Sequence, residues 1–346
     1  MHARARAVTL LNYPELARCV GVDPYAVLAH AGLRPGELKD ADNWLPGEQI
    51  LRVLNETALR ADRDDFGVLL GEHRSFASLG PVSLLLKHEL TLRTIINSMI
   101  AYRRLINELL LLRLEENGRA SRLVWGLIPG LRSSQGVNLL ATMAYRVIVQ
   151  GTAIPWRPDC IHFRHRTPRQ SATFARLFDC RLEFDSSFDG MSFRSSSLAL
   201  RNASADRELA AHARRLLSLI PAVRHEETTI ERARGTISLL LESGRADAAN
   251  VARCLGMSVR TFQRRLSYEG QTFSGLLNEC RRELSLRYLA HSDQSVTAVA
   301  ELTGYSTLSA FSHWFVSEFR MPPGKWRKAN LPRSVEPAAQ TLRAHA

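Results

Sequence analysis

Along the first hundred residues, apolar positions recur at the three-and-four spacing of a buried helix face. The segment Tyr13–His30 reads as two short helices broken at Gly21-Val-Asp-Pro24, and Gly32-Leu-Arg-Pro-Gly36 supplies the next turn. A third helix follows Pro46 with Ile50, Val53, Leu54, Thr57 and Ala58 on one stripe. Phe66–Leu70 and the segment after Gly80-Pro81 continue the helical pattern, and Thr91 starts a longer helix that turns Ile95, Ile96, Met99 and Tyr102 inward. The period changes near Glu108. Leu110, Leu112 and Leu114 then alternate with other residues up to Asn117-Gly118, a pair that favours a type I′ hairpin turn. The returning run puts Leu123, Trp125 and Leu127 on one face, so a β-hairpin is predicted.

Further on, the pattern predicts a helix over about Val137–Gln150 and a strand over Cys160–His165. It then predicts a helix near Ala172–Phe178, strands around Leu182–Phe184 and Met191–Phe193, and a helix over Ala205–Leu219. Mixed helices and strands over residues 12–220 make an α+β domain. Residues 221–228 are polar and read as a linker. Residues 229–328 carry helical periodicity only, so the chain is predicted to be mainly α, with an all-α C-terminal domain. Residues 329–346 show no stripe and are expected to be disordered.

The C-terminal region contains one pattern twice. Ala252 and Gly256 recur 48 residues later as Ala300 and Gly304, and Ser258 and Ser306 follow the glycines. Two helices crossing through a tight turn need a small contact residue and a residue that tolerates positive φ, while serine caps the next helix. Phe262 with Leu266, and Phe311 with Phe315, then bury one face of each second helix. Each copy reads as a helix-turn-helix. Between them, Phe273, Leu276, Leu277, Cys280, Leu284 and Tyr288 form the stripe of a spacer helix. Its span of about 19 residues gives roughly 28 Å, near the ~34 Å between successive major-groove faces.

Gly304-Tyr-Ser-Thr-Leu-Ser-Ala-Phe-Ser-His-Trp-Phe-Val-Ser-Glu-Phe319, followed by Met321-Pro-Pro-Gly-Lys-Trp-Arg327, resembles the signature of the AraC/XylS transcription regulators. The N-terminal segments Gly21-Val-Asp-Pro24, Phe163-Arg-His165 and Phe178-Asp-Cys180 resemble the effector domain of a branch distinct from the cupin-like sugar domain. The resemblance implies that Arg260, Gln263 and Arg264 in the first motif, and Leu308, Ser309 and His313 in the second, read bases. Two residues depart from the family pattern: Arg320 stands where glycine is usual and His313 where arginine is usual. A sequence-specific DNA-binding regulator controlled by a small-molecule effector is expected. The competing expectation is an architectural DNA binder whose N-terminal domain only dimerises. RNA polymerase and a second copy of the chain are further candidate partners.

The net charge of +12 suits a polyanionic partner. Gross charge does not single out the C-terminal part, because residues 1–222 carry more of the excess than the remainder. Local charge does: Arg253, Arg260, Arg264 and Arg265 fall in the first motif with no acid among them. Arg260 and Arg264 suit guanine O6/N7, Gln263 suits adenine N6/N7, and Arg265 and Arg253 suit phosphate, with Arg281 and Arg287 on the spacer as weaker phosphate candidates. Leu308 suits a thymine methyl.

No apolar run is long enough for a bilayer, and the start lacks the apolar core of a secretory signal. The basic N-terminus reads as a frayed tail. Five cysteines without a repeating spacing fit reduced thiols in a cytoplasm. No phosphate loop or nucleophile turn is present, so no enzyme and no cofactor are expected. Cys160 and His162 would point to one side of a strand and His165 to the other, which speaks against a metal site. The basic cluster Arg164, Arg166 and Arg169 reads as a solvated strand end. For the effector, Tyr102, Arg103, Asn107 and Trp125 combine apolar walls with a few polar groups.

Overall fold

The computed structural model describes residues 3–128, 131–150, 152–220, 228–241, 244–291 and 294–330. The expected linker 221–228, apart from its last residue, and the tail from residue 331 onward lie outside the described residues. The chain is mainly helical, with a mixed sheet in the N-terminal region and an all-helical C-terminal region. Among the described residues no helix is long and apolar enough to cross a membrane.

The N-terminal helices are α1 (Tyr13–Cys19), α2 (Pro24–Ala31), α3 (Gly47–Arg60), α4 (Phe66–Glu72), α5 (Pro81–His88), α6 (Leu92–Tyr102), α7 (Ser134–Tyr145), α8 (Ser171–Phe178) and α9 (Arg207–Ser218). Thr91 caps α6, accepting from the Thr94 backbone N–H at 3.2 Å. Helices α4 and α7 pack closely because Gly67 and Gly71 open one face: an added Cβ would lie 2.1 Å from the Gln135 carbonyl and 2.6 Å from Thr142, respectively.

Contrary to the frayed tail expected, Arg4–Arg6 form strand β1, antiparallel to β2 (Trp44–Pro46). Ala5, Ala7, Val8 and Leu10 are buried, and this burial holds the segment in place. The main sheet has the order β3-β4-β7-β5-β6, from β3 (Leu110–Asn117), β4 (Ala120–Leu127), β5 (Cys160–His162), β6 (Arg181–Glu183) and β7 (Gly190–Arg194). Among the described residues only β5 and β6 pair in parallel. The strand expected over Cys160–His165 ends at His162, and beyond it the His165 ring turns to Asn138 Oδ1 at 2.8 Å. In the hairpin, Asn117 pairs with Ala120, so the two loop residues are Gly118 and Arg119. Gly118 alone carries positive φ, +59°, as in a type II′ turn rather than the type I′ turn expected of Asn117-Gly118.

The C-terminal helices are α10 (Thr229–Leu241), α11 (Ala248–Cys254), α12 (Val259–Tyr268), α13 (Phe273–His291), α14 (Val296–Leu302), α15 (Leu308–Phe319) and α16 (Pro323–Asn330). Their own core gathers Ile237, Leu240, Phe262, Leu284, Phe311 and Phe315, separate from the N-terminal core. Thr228 and Glu231 cap α10 reciprocally, each accepting from the other's backbone N–H at 3.1 Å. The prolines Pro322 and Pro323 end α15 and also start α16, which brings Trp326 edge-on to Phe315 at 6.5 Å.

The two regions touch along the outer face of the hairpin. Strand β3 meets α10 and α11. The Arg132 guanidinium lies over the Tyr288 ring at 5.1 Å.

Candidate nucleic-acid interface and effector cavity

Both repeats close in the same way. In the first, Asp247 caps α11 and the Met257 N–H returns to the Ala252 carbonyl at 2.9 Å, with Gly256 at φ +69° between the helices. In the second, Ser295 caps α14 and the Tyr305 N–H returns to the Ala300 carbonyl at 3.0 Å, with Gly304 at φ +76°. Gly304 also needs its lack of a side chain, because an added Cβ would meet Leu241 at 3.0 Å.

Ser258 caps α12, accepting from the Thr261 N–H at 3.2 Å. In the second copy the cap is Thr307, accepting from the Ala310 N–H at 3.1 Å, and not Ser306 as the sequence pattern indicated. The turn there is one residue longer: Gly256 to Gly304 is 48 positions, whereas Phe262 to Phe311 is 49. On that register His313 occupies the place of Arg264, Ser309 that of Arg260, Ser312 that of Gln263 and Leu308 that of Val259.

Arg260, Gln263, Arg264 and Arg265 on α12 are exposed, as are Leu308, Ser309 and His313 on α15 and Arg253 on α11. The α12 surface therefore presents three exposed arginines. That of α15 is close to neutral, because Glu318 is paired with Arg282 at 3.2 Å.

The spacer α13 locks the second motif in place. Asn278 accepts from Trp314 Nε1 at 2.7 Å and donates to Glu318 at 3.0 Å. Arg281, offered above as a phosphate contact, instead donates to the carbonyls of Thr303 at 3.2 Å and Gly304 at 3.4 Å, and stacks on Tyr305 at 4.6 Å. Burial pushes the Tyr305 hydroxyl up to about 12, so Arg281 faces a neutral phenol. Toward the first motif, Arg234 of α10 pairs with Glu279 and, at 2.8 Å, with Glu283. Glu269, just after α12, accepts from the free N–H groups of Thr229 and Ile230 at 2.9 Å each. These polar clamps have no periodic signature, and sequence reasoning found neither the role of Asn278 nor the carbonyl contacts of Arg281.

The N-terminal core forms a cavity of about 90 Å³. Of the four effector candidates, Arg103 and Asn107 line it, and Tyr102 and Trp125 do not. Arg103 donates to the carbonyls of Ile100 at 2.8 Å and Leu110 at 3.2 Å, and Asn107 Oδ1 accepts from the Leu109 N–H at 2.8 Å. Trp125 is fully buried in the hairpin and borders a larger, more polar cleft between the two regions, shared with Arg113, Arg132 and Arg245. Arg74, which no sequence signal marked, also lines the first cavity.

Parallel pairing of β5 with β6 brings Glu183 beside His162, so that Cys160, His162 and Glu183 have ligand-type atoms within 4.8 Å of one another. His162 Nε2 lies 2.9 Å from Ser192 Oγ, and Nδ1 lies 3.4 Å from Ser186 Oγ and 3.6 Å from Glu183. These contacts account for the ring's orientation without a metal. Burial pushes the Cys160 thiol up and the His162 imidazole down, which keeps both neutral.

Known proteins resemble the chain over both regions. Residues 21–202 match the family model described as the arabinose-binding domain of AraC transcription regulator, N-terminal, and residues 251–329 match a helix-turn-helix domain. The HTH-type transcriptional regulator VirS of Mycobacterium tuberculosis is 28% identical over 328 residues, covering 93% of this chain and 96% of its own. An ornithine utilization regulator of Pseudomonas aeruginosa is 23% identical over 321 residues, covering 91% and 94%. The crystal structure of the transcriptional regulator CdpR from Pseudomonas aeruginosa aligns over 88% of this chain and 96% of its own, at 21% identity and a TM-score of 0.44. With the N-terminal model spanning more than half its length and the helix-turn-helix model covering the repeat, the chain belongs to the AraC family of DNA-binding transcription regulators.

Proposed function

We propose that α12 and α15 enter adjacent major-groove segments of one promoter and read its sequence, and that a small molecule held in the N-terminal cavity controls this binding. The observation that carries the reading is the pair of similarly closed helix-turn-helix units, both with exposed outer faces, on either side of the 19-residue spacer α13. Arg260 and Arg264 pair with guanine O6/N7 and Gln263 with adenine, while Arg253 and Arg265 hold phosphates. Ser309, His313 and Leu308 contribute weaker contacts in the second segment. Control by a ligand requires tighter binding to one arrangement of the two regions than to another. The hairpin supports this because it lies between the cavity and the DNA-binding region.

Selection of sites from a random duplex library followed by footprinting tests the reading. Two protected segments about one helical turn, ~10 bp, apart are expected. A single segment, or protection without sequence preference, counts against paired readers and in favour of an architectural binder.

A further inference from the structure

We propose that the N-terminal cavity receives a molecule that joins an apolar body to a single carboxylate, and that Arg74 binds the carboxylate. This rests on the reading of that region as an effector domain and names the chemical class of the effector.

Arg74 follows α4 and is only 5% exposed. Its Nε and Nη2 reach no hydrogen-bond partner. No carboxylate pairs with it among the described residues; the charges it feels are two further cations, Arg6 and Arg146. Both have other tasks. Arg6 pairs with Asp42, and Arg146 Nη1 donates to the backbone carbonyls of Gly71 at 2.7 Å and of Glu72 and Arg74 at 2.6 Å each. The backbone of Arg74 is thereby fixed, and the residue forms part of the cavity wall, with Nε and Nη2 buried in it.

A buried guanidinium without a counter-charge is costly, and its planar fork matches a carboxylate with two parallel hydrogen bonds. Burial, helped by the neighbouring arginines, draws Arg74 down only to about 10, so it stays cationic at neutral pH. Apart from Thr9, Arg103 and Asn107, the remaining wall is hydrocarbon, including Leu54, Leu86, Met99, Leu112, Leu139 and Met143. A neutral polyol fits poorly, because Arg103 and Asn107 already spend hydrogen bonds on the backbone and few groups remain for its hydroxyls. The space is several times the ~10–15 Å³ one water requires, enough for a short hydrocarbon chain.

The test uses the full chain and three straight-chain acids, hexanoate, octanoate and decanoate, against the matching alcohols and L-arabinose, read by calorimetric titration and thermal shift. At least one acid is expected to bind at least tenfold more tightly than its alcohol and to raise Tm. Arg74→Met is expected to keep or raise the unliganded Tm, since it removes an uncompensated buried charge, and to abolish the acid preference. Should that variant misfold, Arg74→Gln serves as the second probe of the same loss. Equal binding of acid and alcohol, an acid preference that survives loss of Arg74, or no binding by any acid overturns the proposal. The cavity-filling variant Leu112→Phe separates this failure from that of the effector reading. If an alcohol or L-arabinose binds and Leu112→Phe blocks it, the cavity is still a receptor and only the carboxylate assignment falls. If no compound binds, the effector reading loses its support as well.

Discussion

Leu111 and Leu112 are neighbours on β3 that serve opposite sides of the sheet. Leu112 lines the N-terminal cavity, and Leu111 reaches the DNA-binding region at Gly235 of α10, where an added Cβ would sit 3.5 Å from Leu111 Cδ2. Gly126, across the hairpin, stands equally close to Leu239. Successive side chains of a strand point to opposite faces, so a ligand that moves Leu112 moves the same backbone that carries Leu111. Gly235→Leu should separate the two regions without harming α10, because leucine favours a helix over glycine by roughly 0.8 kcal/mol. We expect the radius of gyration in solution scattering to rise and DNA binding to become independent of any ligand. An unchanged radius would sink the idea that this contact sets the arrangement.

The two recognition helices should contribute unequally. Arg264→Ala is expected to cost about 1–3 kcal/mol of DNA binding and to relax preference at one base pair. His313→Ala, at the equivalent place on a nearly neutral surface, should cost less. Gel-shift titration of both variants at one salt concentration decides this, and equal losses would contradict the asymmetry.

Most elements could be read from the sequence because their signals are local. Stripes such as Ile50, Val53, Leu54 and Thr57 are buried as the periodicity required, and the Ala-x-x-x-Gly repeat marks both turns. Register was harder to read. One extra residue in the second turn moves the cap from Ser306 to Thr307, and the hairpin loop shifts to Gly118-Arg119, because such offsets are fixed by which side chains reach the core. The polar clamps were not legible at all. Arg74 is one arginine in an unpatterned loop, and its setting exists only where walls from α3, α5, α6 and α7 converge. Arg281 looked like a solvent-facing cation until the packing of α13 on the second turn gave it carbonyls to bind.

That role of Arg281 separates it from a phosphate contact. A lost phosphate contact lowers the slope of log affinity against log salt by about 1. Arg281→Ala should leave that slope unchanged while weakening protection of the second footprint segment and lowering stability by about 1–2 kcal/mol, the loss expected for charge-assisted hydrogen bonds. A slope reduced by a full unit with normal stability would return Arg281 to the DNA surface.

Arg320 ends α15 in the left-handed region, at φ +58°, with its N–H returned to the Val316 carbonyl at 2.8 Å. A side chain in this conformation costs roughly 1–2 kcal/mol, partly offset in a glycine variant by greater freedom of the unfolded chain. Arg320→Gly is therefore expected to stabilise the DNA-binding region by up to about 1 kcal/mol, read from the urea midpoint. Destabilisation would mean that the arginine side chain makes a compensating contact.

His162 predicts how stability depends on pH. Burial lowers the imidazole below its ordinary 6.5, outweighing the opposing pull of Glu183, while Arg122 and Arg181 add to the lowering. The ring also lies against Phe188, centroid to centroid at 4.4 Å, which adds to its seclusion. Between the folded and unfolded values the unfolded chain binds the proton more readily, so stability rises with pH through that window. The full contribution is present above about 6.5 and is lost as the pH falls below it. His162→Gln keeps a polar group near Ser192 but does not titrate, so its urea midpoint should fall less than that of the parent chain between pH 7.5 and pH 5. Parallel curves for the two proteins would show that the neutral, buried imidazole is not what makes the fold acid-sensitive.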